Sequence, residues 1–237
     1  MAYDWQNRAA ARPATWADVD AGLRQFMLRV YNYMGAALVL TGLVAYGAAA
    51  SGIYLTIARS PLIWVVMLAP LALVFLLSFR IQSMSLGAAQ LTFWAYSALM
   101  GLSLGYIFLA YTGASIVSTF FITAAMFLAM SLYGYTTGRD LSGMGAFLFM
   151  GLIGIIIASV VNLFILSSMM SFVISVIGVL IFTGLTAYDT QRIKESYFAN
   201  DDGTVAGKKA IMGALQLYLD FLNLFIMLLR LFGQSRN

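Results

Sequence analysis

The chain has 237 residues, of which 62% are hydrophobic and only 9% are charged, and its formal net charge is +4. Soluble domains carry about 25% charged residues, so this chain has too little polar surface for water, and the lipid bilayer is its predicted solvent. The sequence contains no Cys and no His. Disulfides, thiolate chemistry and a histidine-ligated metal site are therefore excluded, and the small net charge does not indicate a nucleic-acid partner.

Residues 1–25 are polar and are predicted to form a cytoplasmic N-terminal tail, followed by a transmembrane domain over 26–237. No apolar stretch with a small-residue cleavage site follows the early arginines at the right distance, so the tail is not a secretory signal. An interfacial helix is expected from Trp16 to Arg29.

Seven apolar segments are long enough to cross a bilayer, for which a helix needs roughly 20 residues. Transmembrane strands would be about half that length and would alternate in polarity, which these segments do not. The predicted fold class is an all-α membrane protein with seven transmembrane helices. The segments are 30–51, 61–79, 86–110, 115–136, 143–167, 170–190 and 210–232.

The distribution of Lys and Arg orients the segments. If the N-terminus is cytoplasmic, ten basic residues lie inside and three outside, which follows the positive-inside rule. The one long charged break, 191–209, is then cytoplasmic. We favour a full crossing for 210–232, with the C-terminus outside; a re-entrant segment would return Arg230 and Arg236 to the cytoplasm.

Small residues at Ser97, Gly101 and Gly105 share one face of the third segment and permit close approach of another helix. Packing within the chain is favoured over a dimer face. No glycine-rich phosphate loop, nucleophile elbow or zinc-protease motif is present, so an enzyme is not predicted.

Two acids interrupt the last two segments. Asp220 lies near the middle of 210–232 and Asp189 toward the end of 170–190. A carboxylate in hydrocarbon costs roughly 2.5 kcal/mol or more, so the pair indicates a site that handles protons or cations. Helical spacing places Gln216 and Asn223 on the same face as Asp220. A purely structural role for Asp220, or a local ion pair between Asp189 and Arg192, is the alternative.

Two further polar residues are candidates for an ion pathway. Asn162 interrupts the fifth segment and Arg80 closes the second. The alternatives are an interhelical hydrogen bond for Asn162 and a snorkelling position for Arg80. Spacing alone does not show that Asp189 meets Asp220, since a simple count places Asp189 at a shallower depth.

The residues around both acids also resemble a known family. Thr186 to Gln191 (TAYDTQ) and Leu217 to Phe225 (LYLDFLNLF) are similar to the two signatures of the Bax-inhibitor-one family, and Val161 to Phe164 is similar as well. The resemblance covers about residue 25 to the end and favours a bacterial member. It implies a seven-helix fold with a central seventh helix surrounded by the other six.

The resemblance also implies that Asp189 and Asp220 form a carboxylate pair controlling a pH-sensitive calcium leak across the bacterial inner membrane. The family's second-helix arginine, which can latch onto the pair, maps to Arg80. The chain departs from the family in its longer charged loop at 191–209. Bacterial relatives are linked to the regulation of a membrane protease, which would be a separate partner.

Physical chemistry is compatible with the calcium role. Two adjacent carboxyls share a proton and titrate as a coupled pair. Ca²⁺ takes six to eight oxygen ligands, so water, backbone carbonyls or Asn223 would complete the shell around Asp189 and Asp220. A weak permeation site with no resident cofactor is therefore expected.

Two other functions are considered. The first is a non-transporting membrane protein that binds a membrane protease through residues 1–20. The second is an intramembrane aspartyl protease. Such enzymes carry glycine just before the second acid, where this chain has the bulky run Leu217-Tyr218-Leu219.

Overall fold

The computed structural model describes the backbone of residues 16–236 and the side chains of residues 20–236. Most of the predicted N-terminal tail lies outside the described residues. The described part is helical, with a single isolated bridge between Tyr111 and Ser235. The helices are α1 (Trp16–Ala50), α2 (Ile53–Ala58), α3 (Leu62–Arg80), α4 (Leu86–Ser103), α5 (Tyr106–Ala110), α6 (Gly113–Thr136), α7 (Ser142–Ile165), α8 (Ser168–Glu195) and α9 (Gly203–Phe232).

Seven spans within the described residues are long and apolar enough to cross a membrane. Each coincides with one predicted segment, so the all-α membrane class is confirmed. The third span, Leu86–Ala110, comprises α4 and α5. The chain turns between them at Leu104 and Gly105, where the ring of Tyr54 packs against Gly105.

The first span begins earlier than the apolar pattern indicates. Residues 16–29 are helical as expected, but the helix continues without a break to Ala50. Phe26, Met27 and Val30 are buried in the main hydrophobic core, so the early turns are already part of the bundle. Burial of that apolar face favours one continuous helix.

The charged connection before the last span is shorter than predicted. Helix α8 extends to Glu195 and α9 begins at Gly203, which leaves only 196–202 outside a helix. The Asp202 carboxylate caps α9 by accepting from the Val205 amide at 2.7 Å. Lys209 pairs with Asp201 at 2.5 Å. These local bonds satisfy polar groups that sequence alone assigns to a loop.

Helix α9 is the most enclosed span. In its most apolar 18-residue stretch, 72% is buried inside the bundle, against 11–39% in the corresponding stretches of the other six spans. Its main neighbours are α1, α4, α6 and α8, while α3 packs on α4 and α7 packs on α8. The prediction that all six other spans surround it is not confirmed.

Contacts with neighbouring links identify the two ends of the bundle, which we call N-terminal and C-terminal after the start and the end of α9. At the N-terminal end, Lys208 donates to the Gln82 carbonyl at 2.9 Å. At the C-terminal end, the backbone amide of Thr112 donates to the Gln234 carbonyl at 3.0 Å, and the backbone amide of Arg236 donates to the Ala110 carbonyl at 2.8 Å. Helix α9 therefore runs from one end of the bundle to the other, as a full crossing requires.

The small-residue stripe of α4 packs against α1. A Cβ at Gly101 would lie 2.6 Å from the Thr41 carbonyl oxygen and 2.9 Å from Val44 Cβ. Real Cβ atoms do not approach a backbone oxygen so closely, so the helices would have to separate. The stripe serves packing within the chain.

Replacing Gly101 by Ala should destabilise the bundle. We expect a loss of about 1–3 kcal/mol from overpacking between α1 and α4, measured as a lower melting temperature in detergent. Gly87→Ala is the matched control, because Gly87 is in the same helix and nothing lies near its Cβ position. Equal melting of the two variants would contradict this packing.

The positive-inside pattern predicts which end of the bundle faces the cytoplasm. The chain contains no Cys, so single cysteines report position cleanly. We expect Asn200→Cys to react with an impermeant maleimide only in inverted vesicles, and Ser60→Cys only in right-side-out vesicles. The reverse pattern would show that the N-terminal end faces outward.

Candidate functional site

Helices α8 and α9 pack side by side in opposite directions and carry one acid each. Ile193 packs where a side chain on Gly213 would lie, and Met227 packs where one on Gly178 would lie. Asp189 and Asp220 fall between these two contacts on both helices. Their side chains lie close enough to interact directly.

This register removes the difference in depth that a simple count suggests. Because Ile193 lies beside Gly213, the turns of α9 from Gly203 to Met212 come before that contact. Those turns lie beyond the end of α8, where Gly207, Ala210 and Ile211 pack against other helices of the bundle. Asp220 therefore lies within about one helical turn of Asp189 along the bundle.

The carboxyl of Asp220 is enclosed. The residue is 4% exposed, whereas Asp189 is half-buried. Ionised carboxylates only accept hydrogen bonds, so a bond between two carboxyls requires a proton on one of them. Asp220 Oδ2 finds no standard donor among the described residues. The arrangement suits a shared proton, and it leaves an oxygen available to a water or a cation.

Helix α6 closes the site from another side. A Cβ at Gly134 would clash with the Ala187 carbonyl oxygen, so α6 and α8 are in backbone contact two residues before Asp189. Only glycine permits this approach. The turn that carries Asp189 is therefore held by backbone packing and not by side chains alone.

A chain of hydroxyls links three helices beside the site. Tyr31 Oη lies 2.5 Å from Ser131 Oγ, which lies 3.0 Å from Thr190 Oγ1, and Thr190 donates to the Thr186 carbonyl at 2.7 Å. It joins α1, α6 and α8 next to Asp189. Sequence analysis missed Tyr31 and Ser131; hydroxyls inside apolar segments were the available signal.

A second polar network holds another face of α9. Tyr218 Oη lies 2.7 Å from Thr41 Oγ1, which donates to the Ser97 carbonyl at 2.9 Å. Tyr218 precedes Asp220 by two residues, so the two side chains project from nearly opposite faces of the helix. One face of α9 is thus bonded to α1 and α4, and the other faces α8.

Of the other site candidates on α9, Asn223 stays near the acids. It is half-buried one turn beyond Asp220, and its Nδ2 donates to the Leu219 carbonyl at 2.8 Å. That bond leaves the amide oxygen as the atom able to approach a cation. Gln216, one turn before Asp220, is also half-buried.

Neither arginine forms an ion pair with the acids, although Arg192 lies near enough to Asp189 for their charges to interact. Arg80 is exposed at the end of α3, and Arg192 is exposed near the end of α8. Within residues 20–236 the ion pair present is that of Lys209 with Asp201. The local ion pair considered for Asp189 is therefore not formed, and Arg80 has the geometry of a snorkelling residue.

Asn162 lies at the C-terminal end of the bundle, away from the acids. Its Nδ2 donates to Ser171 Oγ at 2.7 Å, and its Oδ1 accepts from the Ser167 amide at 3.0 Å. It therefore bonds the end of α7 to the start of α8. This is the interhelical hydrogen bond that sequence analysis gave as the alternative.

The acid pair offers few ligands to a metal. Among the described residues, no three His, Cys, Asp or Glu side chains are grouped so that they could hold a metal ion. Ca²⁺ would need several further oxygens from water or from neutral groups. The Thr183 hydroxyl, which is buried without a partner in the described part of the chain, is one neutral group on α8.

An exposed acid outside the spans provides a reference. Asp140, between α6 and α7, accepts from the Ser142 amide at 2.8 Å. Hydrogen bonds from Ser142 lower the pKa of Asp140 below its ordinary value. Its charge therefore persists to lower pH than that of a free Asp, and any stability it contributes is lost only as the pH falls through that lowered pKa.

Within the described residues, seven membrane-length helices packed into one bundle define a polytopic membrane protein. The family model described as "Inhibitor of apoptosis-promoting Bax1" matches residues 23–237. The chain therefore belongs to the Bax-inhibitor-one family, as its aspartate motifs indicated.

Several bacterial proteins are similar over nearly their whole length. Inner membrane protein YbhL of Escherichia coli is 50% identical over 91% of this chain and 94% of that protein. Protein RP147 of Rickettsia prowazekii is 49% identical over 92% of this chain and 93% of its own. A Caulobacter vibrioides protein is 44% identical over 98% of both chains.

A shared proton should be visible by infrared spectroscopy. We expect a pH-dependent C=O band of a protonated carboxyl whose frequency and pH dependence change in both Asp189→Asn and Asp220→Asn, because one proton serves both groups. Asp140→Asn should leave the band unchanged. A band that only one of the two variants alters would show that the acids do not share the proton.

Proposed function

We propose that this protein is a pH-sensitive leak channel or transporter for cations, with Ca²⁺ as the permeant ion, controlled by Asp189 and Asp220. The observation that supports this proposal is the contact between a fully enclosed acid and a half-buried acid on adjacent spans. Acidic side chains inside a membrane bundle are energetically costly and rare, and they commonly mark an ion or proton pathway.

The pair gives the bundle two electrostatic states. When one proton is shared, the carboxyls attract each other and hold α8 against α9. When the proton leaves, two negative charges face each other in a medium of low dielectric, where their repulsion is much stronger than in water. That repulsion favours separation of the helices or entry of a cation.

A cation that enters would be held weakly. The two carboxylates supply the charge, and the neutral candidates are the Asn223 amide oxygen and the Thr183 hydroxyl, which has no partner among the described residues. Water would have to supply the remaining ligands, because Ca²⁺ prefers six to eight oxygens. Weak coordination suits permeation, since an ion that binds tightly leaves slowly.

The rest of α9 provides a fixed support for such a movement. Tyr218 bonds α9 to α1 and α4 through Thr41, and Gly134 holds α6 against the turn of α8 that carries Asp189, so separating the acids would move α8 together with α6 relative to α9. Arg80 is exposed in this state, and a latch role would need a movement of α3 toward the acids. We therefore expect Arg80→Ala to leave the flux close to that of the parent.

The inner membrane is the proposed location. YbhL, which matches over nearly its full length, is named an inner membrane protein. The basic residues of the N-terminal end favour a cytoplasmic position for that end.

Flux through reconstituted protein tests the role of the acid pair. In proteoliposomes loaded with a calcium dye, we expect calcium flux that depends on pH in the parent. Asp189→Asn and Asp220→Asn should each flatten this dependence, and the double variant should add little, since the two groups act as a unit. Asp140→Asn is the matched control and should behave like the parent.

Two outcomes would contradict the proposal. An unchanged pH–flux curve in both single variants would remove the acids as the sensor. No flux under any condition would favour a non-transporting partner of a membrane protease, which deletion of residues 1–20 then tests through the partner's activity. Cleavage of a transmembrane substrate that Asp220→Asn abolishes would instead indicate a protease.

A further inference from the structure

A cavity of about 630 Å³ with a mixed polar and apolar lining lies at the C-terminal end of the bundle, away from the acid pair. Its walls come from the end of α7, the start of α8, the end of α9 and the link before α6. The polar lining includes the guanidinium-bearing Arg230, Tyr111, Asn162 and Ser171. The cavity is large enough for a small-molecule group.

The cavity lining carries one positive charge and no acidic side chain to neutralise it. Arg230 is the only charged residue in its lining. Among the described residues, the C-terminal end carries Arg59, Arg230 and Arg236 and no acidic side chain. The nearest acid on the same helix is Asp220, ten residues or roughly 15 Å away. An anion is therefore the complementary ligand.

The turn between α7 and α8 is built to keep the cavity open. Leu166 adopts a left-handed backbone with φ of 54°, which is unfavourable for a leucine. Asn162 fixes this turn, since its carbonyl accepts from the Leu166 amide at 2.9 Å and its Oδ1 accepts from the Ser167 amide. As a result, the leucine side chain, 82% exposed, forms part of the cavity rim.

The rim is apolar and continues into the lipid-facing surface. Leu163, Leu166 and Phe172 line the cavity and are also exposed. A ligand with an anionic head and a hydrocarbon tail fits both parts, because its head would face Arg230 and its tail would lie along α7 and α8. A free anion would leave the apolar rim uncovered.

We propose that this cavity binds the phosphate headgroup of an anionic phospholipid. Arg230 supplies the charge-assisted hydrogen bonds, as arginine does for phosphate groups. The second N–H of the Asn162 amide and the Ser168 hydroxyl are neutral donors beside it, since Ser171 and Ser175 already donate to carbonyls of α8. The site is independent of the acid pair and of any ion flux.

Lipid binding to the detergent-purified full chain tests this site. Native mass spectrometry would compare dioleoyl phosphatidylglycerol with zwitterionic dioleoyl phosphatidylcholine. We expect the parent to retain phosphatidylglycerol preferentially, and Arg230→Gln to weaken that binding about tenfold through loss of a charge-assisted contact. Arg59→Gln, which changes a charge at the same end outside the cavity, should bind like the parent.

A second variant tests the same site independently, in case Arg230→Gln does not fold. Ser168→Asp places a negative charge in the cavity lining at the first turn of α8, where an acid suits the helix dipole. It should keep the parental melting temperature and lose phosphatidylglycerol. Ser142→Asp, at the first turn of α7 at the opposite end, is the matched control and should retain it.

Three results would overturn the proposal. The first is equal binding of phosphatidylglycerol by the parent and Ser168→Asp. The second is an equal loss in Arg59→Gln, which would show general attraction to a basic face. The third is displacement of the lipid by inorganic phosphate at matched concentration, which would identify a free-phosphate site.

Discussion

The enclosure of a carboxyl group inside an apolar bundle is the constraint on which this structure depends. Asp220 is almost fully buried in the most enclosed span, and water cannot solvate its charge there. The second acid, Asp189, meets it from α8. In the proposed function the pair couples proton binding to the packing of two helices, because two close carboxyls ionise less readily than one alone.

The remaining contacts divide α9 into a fixed face and a face that can respond. Tyr218 bonds to Thr41 on one side, and the aromatic rings of Tyr218 and Tyr96 meet edge to face at 5.5 Å. On the other side stands the acid pair. Each hydrogen bond between helices contributes only modest free energy in a membrane. The bundle is therefore stabilised by these bonds together with close backbone packing.

The two ends of the bundle differ in chemistry. At the N-terminal end, the Gln191 amide donates to the Arg139 carbonyl and accepts from the Leu141 amide in the link between α6 and α7. Lys194 donates to the Tyr135 carbonyl at the end of α6. Charged side chains there bind backbone groups of the loops. The C-terminal end has basic residues, a polar cavity and, within the described residues, no acidic side chain, which gives the molecule an electrostatic polarity along its long axis.

Hydrophobic length, and a charge inside an apolar segment, are local properties of the chain, so the bilayer environment, the number of spans and the two acids could be predicted from the amino-acid order. The residues around Asp189 and Asp220 also identified the family. The ends of α8 and α9 could not be predicted, since the Asp202 cap and the Lys209–Asp201 ion pair stabilise the start of α9 and Lys209 donates to the Ser196 carbonyl at the end of α8.

Which polar residues lie together depends on how the helices pack. The register of α8 against α9, set by contacts such as that of Ile193 with Gly213, brings the acids level. The same packing leaves Arg80 at the surface and places Asn162 at the opposite end. Such pairings depend on the relative shift of helices distant in sequence, and no local pattern of residues encodes that shift.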